Sequence, residues 1–309
     1  MIQLGLYSNE FEIEYWNAVN KFIDPSEQRE ILASCRKFLP SNFFNESTSE
    51  FKSLILAPWG KLKAAESFIR VEKFDEMKSE CFSKTNNQHL IMNPIYKRLH
   101  DSYSKIANSE KRKASLRVRI VRNAGLTVCP YCNRDYINSR GENVSGAQLD
   151  HFFNKSTFPL FSICLYNLVP VCSNCNRVKG KQTITFASPF DSSINWIQDL
   201  RFSYQGTTSK DMRILVEAKR SSEVENNITG MRIREAYQIH SIEVLELIEK
   251  QQMYNQTQKE ELQKVLGQIE LTDSEFKKMI FGPEITNESI KTKPLGKLLY
   301  DLHKELKIY

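Results

Sequence analysis

The chain carries two Cys-x-x-Cys pairs, Cys129 with Cys132 and Cys172 with Cys175. Each pair can present two thiolates to one tetrahedral Zn²⁺, and four thiolates close the coordination shell, so such a zinc would be structural. Disulfide exchange is disfavoured, because it needs only one such pair, usually in a βαβ context. The spacing therefore predicts a four-cysteine zinc site. Cys164 has no partner at this spacing and is expected to be a buried packing residue.

Polar residues inside this stretch could hydrolyse a phosphodiester. His151 can act as a general base near neutral pH. Asp150 offers a carboxylate and Asn176 a carbonyl oxygen, and both are hard ligands that suit Mg²⁺ or Mn²⁺. Adjacent residues of a regular strand point to opposite faces. Asp150 and His151 can therefore converge on one substrate only if the strand ends or bends at this pair, and we predict that it does.

Basic residues follow the second cysteine pair. If a helix begins there, Asn176 and Lys179 lie three residues apart and share a face, so both can approach one phosphate. Arg177, Lys179 and Lys181 are thus candidates for binding the scissile and flanking phosphates.

A basic run leads into the first cysteine pair, since residues 105–122 contain seven Lys and Arg against one acid. If the run is helical, Arg119 and Arg122 lie on one stripe with Arg112, while Leu116 faces inward. Such a run is either a solvated helix face, as most basic runs are, or a basic surface that binds the phosphate backbone of a nucleic acid. Arg119 and Arg122 are the candidate contacts under the second interpretation.

Three segments of this stretch resemble the three motifs of the HNH nucleases: Leu149-Asp150-His151, Asn167-Leu168 and Cys175-Asn176-Arg177-Val178-Lys179. The site of that family is a β-hairpin followed by a helix, often braced by a four-cysteine zinc. The resemblance implies that His151 is the general base, that Asp150 and Asn176 are ligands of a catalytic Mg or Mn, and that Asn167 pins the loop carrying the histidine. The third motif has Asn in place of His, which leaves the metal preference open.

The flanks are similar to the HNH subunit of Septu-type and retron-associated antiphage systems, the PtuB-like family. The similarity lies in the Cys129-Pro130-Tyr131-Cys132 start, in Ser188-Pro189-Phe190, in Tyr237-x-x-His240 and in Pro294-Leu295-x-Lys297-Leu298. It implies a toxic effector subunit with an ABC/SMC-like ATPase partner (PtuA-like) and, in retron versions, a reverse transcriptase with its DNA–RNA product. DNA is the first expectation for the substrate, and structured RNA such as tRNA is the alternative.

We expect an α+β fold, with a central ββα-metal (HNH) module stapled by the zinc site and flanked by mainly helical N- and C-terminal regions. The expected regions are 1–108, 109–187 and 188–309. Capping signals at Asp24-Pro25-Ser26-Glu27 and Thr272-Asp273-Ser274-Glu275 predict helix starts. The run from Ile194 to Val216 predicts two or three strands.

The composition of the 309 residues, with 40% hydrophobic and 11% aromatic residues, is that of a globular protein. Apolar runs fall short of the roughly 20 residues that a membrane span needs, and Glu10, Glu12 and Glu14 interrupt any secretory signal. We therefore expect a cytoplasmic protein without membrane contact. Seven cysteines fit reduced thiols and metal ligation. The alternative function is a non-catalytic, zinc-stapled nucleic-acid-binding or assembly module, which would have no use for Asp150, His151 and Asn176 together.

Overall fold

A computed structural model describes residues 1–44, 50–84, 90–107, 114–254, 256–266 and 272–309. The chain is an α+β protein, as expected. The helices before the hairpin of the candidate site are α1 (Asn9–Val19), α2 (Pro25–Arg36), α3 (Glu50–Ile55), α4 (Trp59–Phe68), α5 (Phe74–Cys81), α6 (Pro94–Ala107) and α7 (Leu116–Asn123). The later helices are α8 (Ser173–Lys179), α9 (Trp196–Asp199), α10 (Ser222–Gly230), α11 (Ile233–Tyr237), α12 (Ser241–Met253), α13 (Gln256–Leu266), α14 (Asp273–Phe281) and α15 (Gly296–Glu305).

Three two-stranded antiparallel sheets accompany these helices in the described residues. Their strands are β1 (Phe82–Lys84) with β2 (Leu90–Met92), β3 (Gln148–His151) with β4 (Leu168–Val171), and β5 (Leu200–Gln205) with β6 (Arg213–Ala218). The last pair lies in or beside the run for which strands were predicted. The first pair, and a π-helical turn at Ile69–Lys73 between α4 and α5, were not anticipated.

The capping signals act as predicted. The Glu27 carboxylate accepts a hydrogen bond from the Asp24 backbone N–H at 3.3 Å, with Pro25 as the first residue of α2. At α14 the Thr272 hydroxyl accepts from the backbone N–H of Glu275, whose carboxylate accepts from the backbone N–H of Thr272. Both boxes satisfy donors that a helix start leaves unpaired, so both helix starts are fixed locally.

The β3–β4 hairpin and α8 form a continuous unit in the middle of the chain. Asp150 lies opposite Val169, and His151 lies opposite Leu168. Every residue of β4 is buried. Since Cys172 directly follows β4 and precedes α8, the second cysteine pair lies at the junction of strand and helix. The arrangement is a hairpin followed by a helix, with a cysteine pair between them.

The N-terminal helices hold this unit through tyrosine hydroxyls. Tyr15 of α1 donates to the Ile163 carbonyl at 2.9 Å, and Tyr103 of α6 donates to the Leu149 carbonyl of β3 at 3.0 Å. The C-terminal part holds the first cysteine pair, because Tyr237 of α11 donates to the Cys132 carbonyl at 2.6 Å. Buried apolar residues of all three expected regions belong to one contiguous cluster.

None of the helices in the described residues combines the length and apolar composition that crossing a membrane requires.

Candidate metal centre and active site

The four paired cysteines meet in one buried cluster. The sulfur atoms of Cys129, Cys132, Cys172 and Cys175 all lie within 4.8 Å of one another, and those of Cys132 and Cys172 are 4.0 Å apart. Four sulfurs at about 2.3 Å from one zinc are about 3.8 Å from each other. The cluster therefore fits a tetrahedral metal ion such as zinc. Cys164 is buried outside it and donates to the Leu54 carbonyl at 3.1 Å.

Proton affinities in the cluster depend on one another. Hydrogen bonds from the Cys129, Cys172 and Cys175 thiols lower the pKa of Cys132 well below its ordinary value. Hydrogen bonds with the Cys129 and Cys132 sulfurs raise the pKa of Cys172 and of Cys175. Ionisation of Cys132 is thus favoured, whereas ionisation of Cys172 and Cys175 is opposed. A bound cation is what allows all four sulfurs to be thiolates together.

His151 is held in a defined tautomer. Its Nε2 atom lies 2.8 Å from the backbone carbonyl oxygen of Ser162. A carbonyl only accepts, so Nε2 carries the proton and Nδ1 keeps a lone pair. Burial first, and then the nearby Lys155 ammonium, lower the pKa of His151 to about 4. The ring packs edge-on against Tyr103, with ring centroids 4.3 Å apart. At neutral pH this imidazole is an uncharged base.

Asp150 is turned into the protein and carries partners on both oxygens. Its Oδ2 atom lies 2.9 Å from the Lys179 ammonium and accepts from the Tyr131 hydroxyl at 2.6 Å, and its Oδ1 atom accepts from the same ammonium at 3.2 Å. Lys179, with 3% of its side chain exposed, also donates to the backbone carbonyls of His151 and Phe152. The Lys179 ammonium therefore neutralises Asp150 and ties α8 to the end of β3. Because its ammonium is buried against these groups, Lys179 is not available to a phosphate in this conformation.

The expected convergence of Asp150 and His151 is not present in this conformation. β3 ends at His151, but its pairing with β4 stays regular through both residues. As strand alternation requires, the two side chains contact different groups: Asp150 contacts Tyr131 and Lys179, and His151 contacts the Ser162 carbonyl and Tyr103.

Asn176 lies on α8 next to the first residue of β3, because its amide donates to the side-chain oxygen of Gln148 at 2.7 Å. Asp150 and Asn176 do not form a ready cation site, since the Asp150 carboxylate is already bound by Lys179 and Tyr131. Among the described residues, the four cysteines are the one group of three or more Cys, His, Asp or Glu ligands close enough to share an ion.

Asn167 organises the loop that leaves β3. Its side-chain oxygen accepts from the Phe153 backbone N–H at 2.7 Å. Its amide donates to the carbonyls of Phe153 at 3.1 Å and Phe161 at 3.0 Å. These three hydrogen bonds are buried, and they join the two ends of the loop that contains Ser162. Asn167 thus holds the carbonyl that orients His151 without contacting the ring itself.

The other predicted phosphate contacts are dispersed. Arg177 and Lys181 are exposed beside the end of α8. Arg119 contacts Glu14 of α1, and Arg122 donates to Glu142 and to the Gly141 carbonyl. Arg119 and Arg122 therefore already have acidic partners. Leu116 is buried, as predicted, whereas Arg112 lies outside the described residues.

Sequence reasoning missed two neighbours of His151: Tyr103 and Lys155. Tyr103 contacts the ring directly, and the Lys155 ammonium lies 4.5 Å from the centroid of the Tyr103 ring. Lys155 follows His151 by only four residues, and this short separation could have indicated that the two side chains are close. Tyr103 lies on α6, so only the packing of that helix against β3 brings it close to His151.

Replacing Lys179 by methionine is expected to destabilise the protein by about 3 to 5 kcal/mol, because it leaves the buried Asp150 carboxylate without its cation. Urea unfolding measures this loss. Lys181→Met, two residues away and exposed, is the matched control and should change stability by less than about 0.5 kcal/mol. Adding Asp150→Asn to Lys179→Met should recover part of the loss, and equal losses in the Lys179 and Lys181 variants would refute the ion pair.

Comparison with protein-family models, with curated proteins and with solved structures finds no match to this chain.

Proposed function

We propose that the chain is a metal-dependent HNH nuclease that hydrolyses phosphodiester bonds in nucleic acid. The observation that carries the proposal is His151, an uncharged imidazole whose Nε2–H is held by the Ser162 carbonyl, so that Nδ1 keeps the lone pair that can accept a proton. It lies on a hairpin that is followed by a helix bearing Asn176, the order in which the HNH motifs occur. DNA is the first candidate substrate, and structured RNA such as tRNA is the second.

In this proposal Nδ1 of His151 takes a proton from water as the water oxygen attacks phosphorus and the ester oxygen leaves. The Ser162 carbonyl fixes the ring, and Asn167 fixes the loop that presents the carbonyl. The Ser162 carbonyl and Asn167 thus position the imidazole and take no part in the proton transfer. A divalent cation, when bound, supplies positive charge at the phosphate and the leaving oxygen. Asp150 and Asn176 are its candidate ligands, and binding there requires the Lys179 ammonium to leave Asp150.

The flanking motifs support a role as the toxic effector of an antiphage defence complex, with an ABC/SMC-like ATPase (PtuA-like) as partner and a retron reverse transcriptase with its DNA–RNA product in some systems. Induced expression of the chain, with the His151→Ala variant as control, tests this role. Total DNA and RNA sequenced after induction should show new ends only with the wild type. Equal viability and intact nucleic acid in both cultures would contradict it.

Cleavage is expected only when Mg²⁺ or Mn²⁺ is added. Purified zinc-loaded protein should leave single-stranded DNA, duplex DNA and tRNA intact after dialysis into buffer freed of divalent ions, and should cut at least one of them after Mg²⁺ or Mn²⁺ is restored. Gel analysis of end-labelled substrates measures this, with zinc content checked before and after dialysis. Equal cleavage with and without added cation would rule out metal dependence.

A second candidate is a zinc-stapled nucleic-acid-binding or assembly module without catalysis. One observation favours it: the Asp150 carboxylate, expected to bind the cation, is neutralised by Lys179. Such a module would bind the same substrates without cutting them under either cation. The cleavage experiment therefore separates the two candidates.

A further inference from the structure

The Lys179 ammonium lies among four oxygen atoms of the chain. Asp150 supplies its two carboxylate oxygens, at 2.9 and 3.2 Å. The backbone carbonyls of His151 and Phe152 supply the other two, at 3.2 and 3.1 Å. An ammonium has three N–H donors, so the chain itself offers more acceptors than Lys179 can use. The ammonium is therefore fully engaged by Asp150 and by the main chain at the histidine.

The two carbonyls show that the chain turns directly after His151. Along an extended strand the carbonyl groups of successive residues point in opposite directions, as their side chains do. Here the carbonyls of His151, the last residue of β3, and of Phe152 point to the same ammonium. The chain also bends at Phe152. Lys179 thus holds the turn by which the backbone leaves the strand at the histidine.

Asn167 holds the same turn through its N–H groups. The Asn167 backbone carbonyl accepts from the Phe152 N–H at 2.8 Å, and the Asn167 side-chain oxygen accepts from the Phe153 N–H at 2.7 Å. The His151 ring is held separately, by the Ser162 carbonyl. The imidazole, the N–H groups of the turn and the carbonyl groups of the turn therefore each have their own partner. The ammonium is the partner of the last of these.

Asp150 supplies the charge that keeps this ammonium in place. Both side chains are buried, with 6% of Asp150 and 3% of Lys179 exposed, and the carboxylate also accepts from the Tyr131 hydroxyl at 2.6 Å. Separating such a pair leaves uncompensated charges away from water, which is strongly unfavourable. A divalent cation at Asp150 would therefore have to displace a positive charge that the chain already holds there.

We propose that Asp150 and Lys179 form a positioning pair for His151, and that Asp150 keeps this role during cleavage instead of binding the divalent cation. The proposal rests on the proposed nuclease function. It departs from the HNH resemblance in one respect, since the acid before the histidine acts on the base through Lys179. Of the two candidate cation ligands, Asn176 alone is then left, with substrate oxygens and water as the other ligands of such a cation.

NMR of isotope-labelled histidine rings tests the positioning role in zinc-loaded protein without added Mg²⁺ or Mn²⁺. The His151 ring signals, assigned by their loss in His151→Ala, should shift or broaden in the double variant Asp150→Asn/Lys179→Met, which removes both buried charges and the contacts to the two carbonyls. Lys250→Met, at an exposed position of α12, should leave these signals unchanged. Zinc content and thermal midpoint establish folding, and Asp150→Asn alone replaces the double variant if the latter fails this check. Unchanged His151 signals would overturn the positioning pair.

Cleavage kinetics test whether Asp150 binds the cation. Asp150→Asn should lower kcat by up to about 100-fold, because the base is less well placed. KM and the Mn²⁺ concentration for half-maximal rate should not change. In a His151→Ala background, which lacks the base, the amount of Mn²⁺ bound in the presence of single-stranded DNA, measured by electron paramagnetic resonance, should be the same with and without Asp150→Asn. A higher Mn²⁺ requirement or weaker Mn²⁺ binding in Asp150→Asn would return Asp150 to the cation and overturn the proposal.

The two experiments separate this inference from the function on which it rests. Changed His151 signals without cleavage by the wild type would support the positioning pair and contradict the nuclease. Wild-type cleavage with unchanged His151 signals in the double variant, and with an unchanged kcat in Asp150→Asn, would do the reverse.

Discussion

Replacing Cys172 by serine is expected to release the zinc and unfold the centre of the chain. Four buried sulfurs lie within 4.8 Å of one another, and a structural zinc in such a set contributes on the order of 10 kcal/mol or more to folding. The net stability of a folded domain is only about 5 to 15 kcal/mol. Zinc content by plasma mass spectrometry should fall from about one ion per chain to near zero, and urea unfolding should lose its cooperative transition.

The loss should spread into the C-terminal part, because that part is attached to the first cysteine pair. Asn133, in a left-handed conformation with φ of 53°, donates to the Ile290 carbonyl at 2.8 Å and accepts from the Lys297 backbone N–H at 2.7 Å. Tyr237 donates to the Cys132 carbonyl. Limited proteolysis of Cys172→Ser should therefore cut between α10 and α15 as well as near the cysteines.

Cys164→Ser is the matched control for this experiment. Cys164 is equally buried and belongs to the same stretch, but its sulfur donates to the Leu54 carbonyl and is not part of the cluster. A serine hydroxyl can make the same hydrogen bond. The control should keep one zinc per chain and a cooperative transition. Unchanged zinc in Cys172→Ser, or equal zinc loss in Cys164→Ser, would contradict the four-cysteine site.

Features that depend on local spacing were predictable from the sequence. The cysteine pairs could be recognised because each Cys-x-x-Cys pair needs only two thiols at a fixed separation. The starts of α2 and α14 could be predicted because the capping residues act within one helical turn. The opposite directions of the Asp150 and His151 side chains also follow from strand alternation. The expectation that both side chains would converge on one substrate required a departure from that alternation, and β3 shows none.

Features that depend on packing between distant segments were not predictable. Nothing in the spacing of Lys179 reveals that its ammonium is directed at Asp150 and away from solvent, because this depends on how α8 crosses the end of β3. Likewise, the basic run alone does not reveal that Arg119 has an acidic partner, because the contact with Glu14 depends on how α1 packs against α7.

Replacing His151 by alanine is expected to lower the cleavage rate by about 10² to 10⁴, the usual cost of losing a general base. Substrate binding should change little, because the phosphate is held by other groups, so the effect should appear in kcat rather than KM. His100→Gln on α6 is the control, since that histidine contacts Asp101 and lies outside the site. Equal rates for wild type and His151→Ala would exclude His151 as the base.

The pH dependence gives His151 a signature that a structural role would not produce. Burial and the Lys155 charge lower its pKa to about 4, so the ring stays unprotonated, and able to accept a proton, down to about that pH. The acid limb of kcat/KM should therefore lie near pH 4 and not near about 6.5, where an exposed histidine titrates. Lys155→Met removes one lowering influence and should move the limb toward higher pH. An acid limb near pH 6.5 in the wild type, unchanged in Lys155→Met, would mean that a solvent-exposed group is the base.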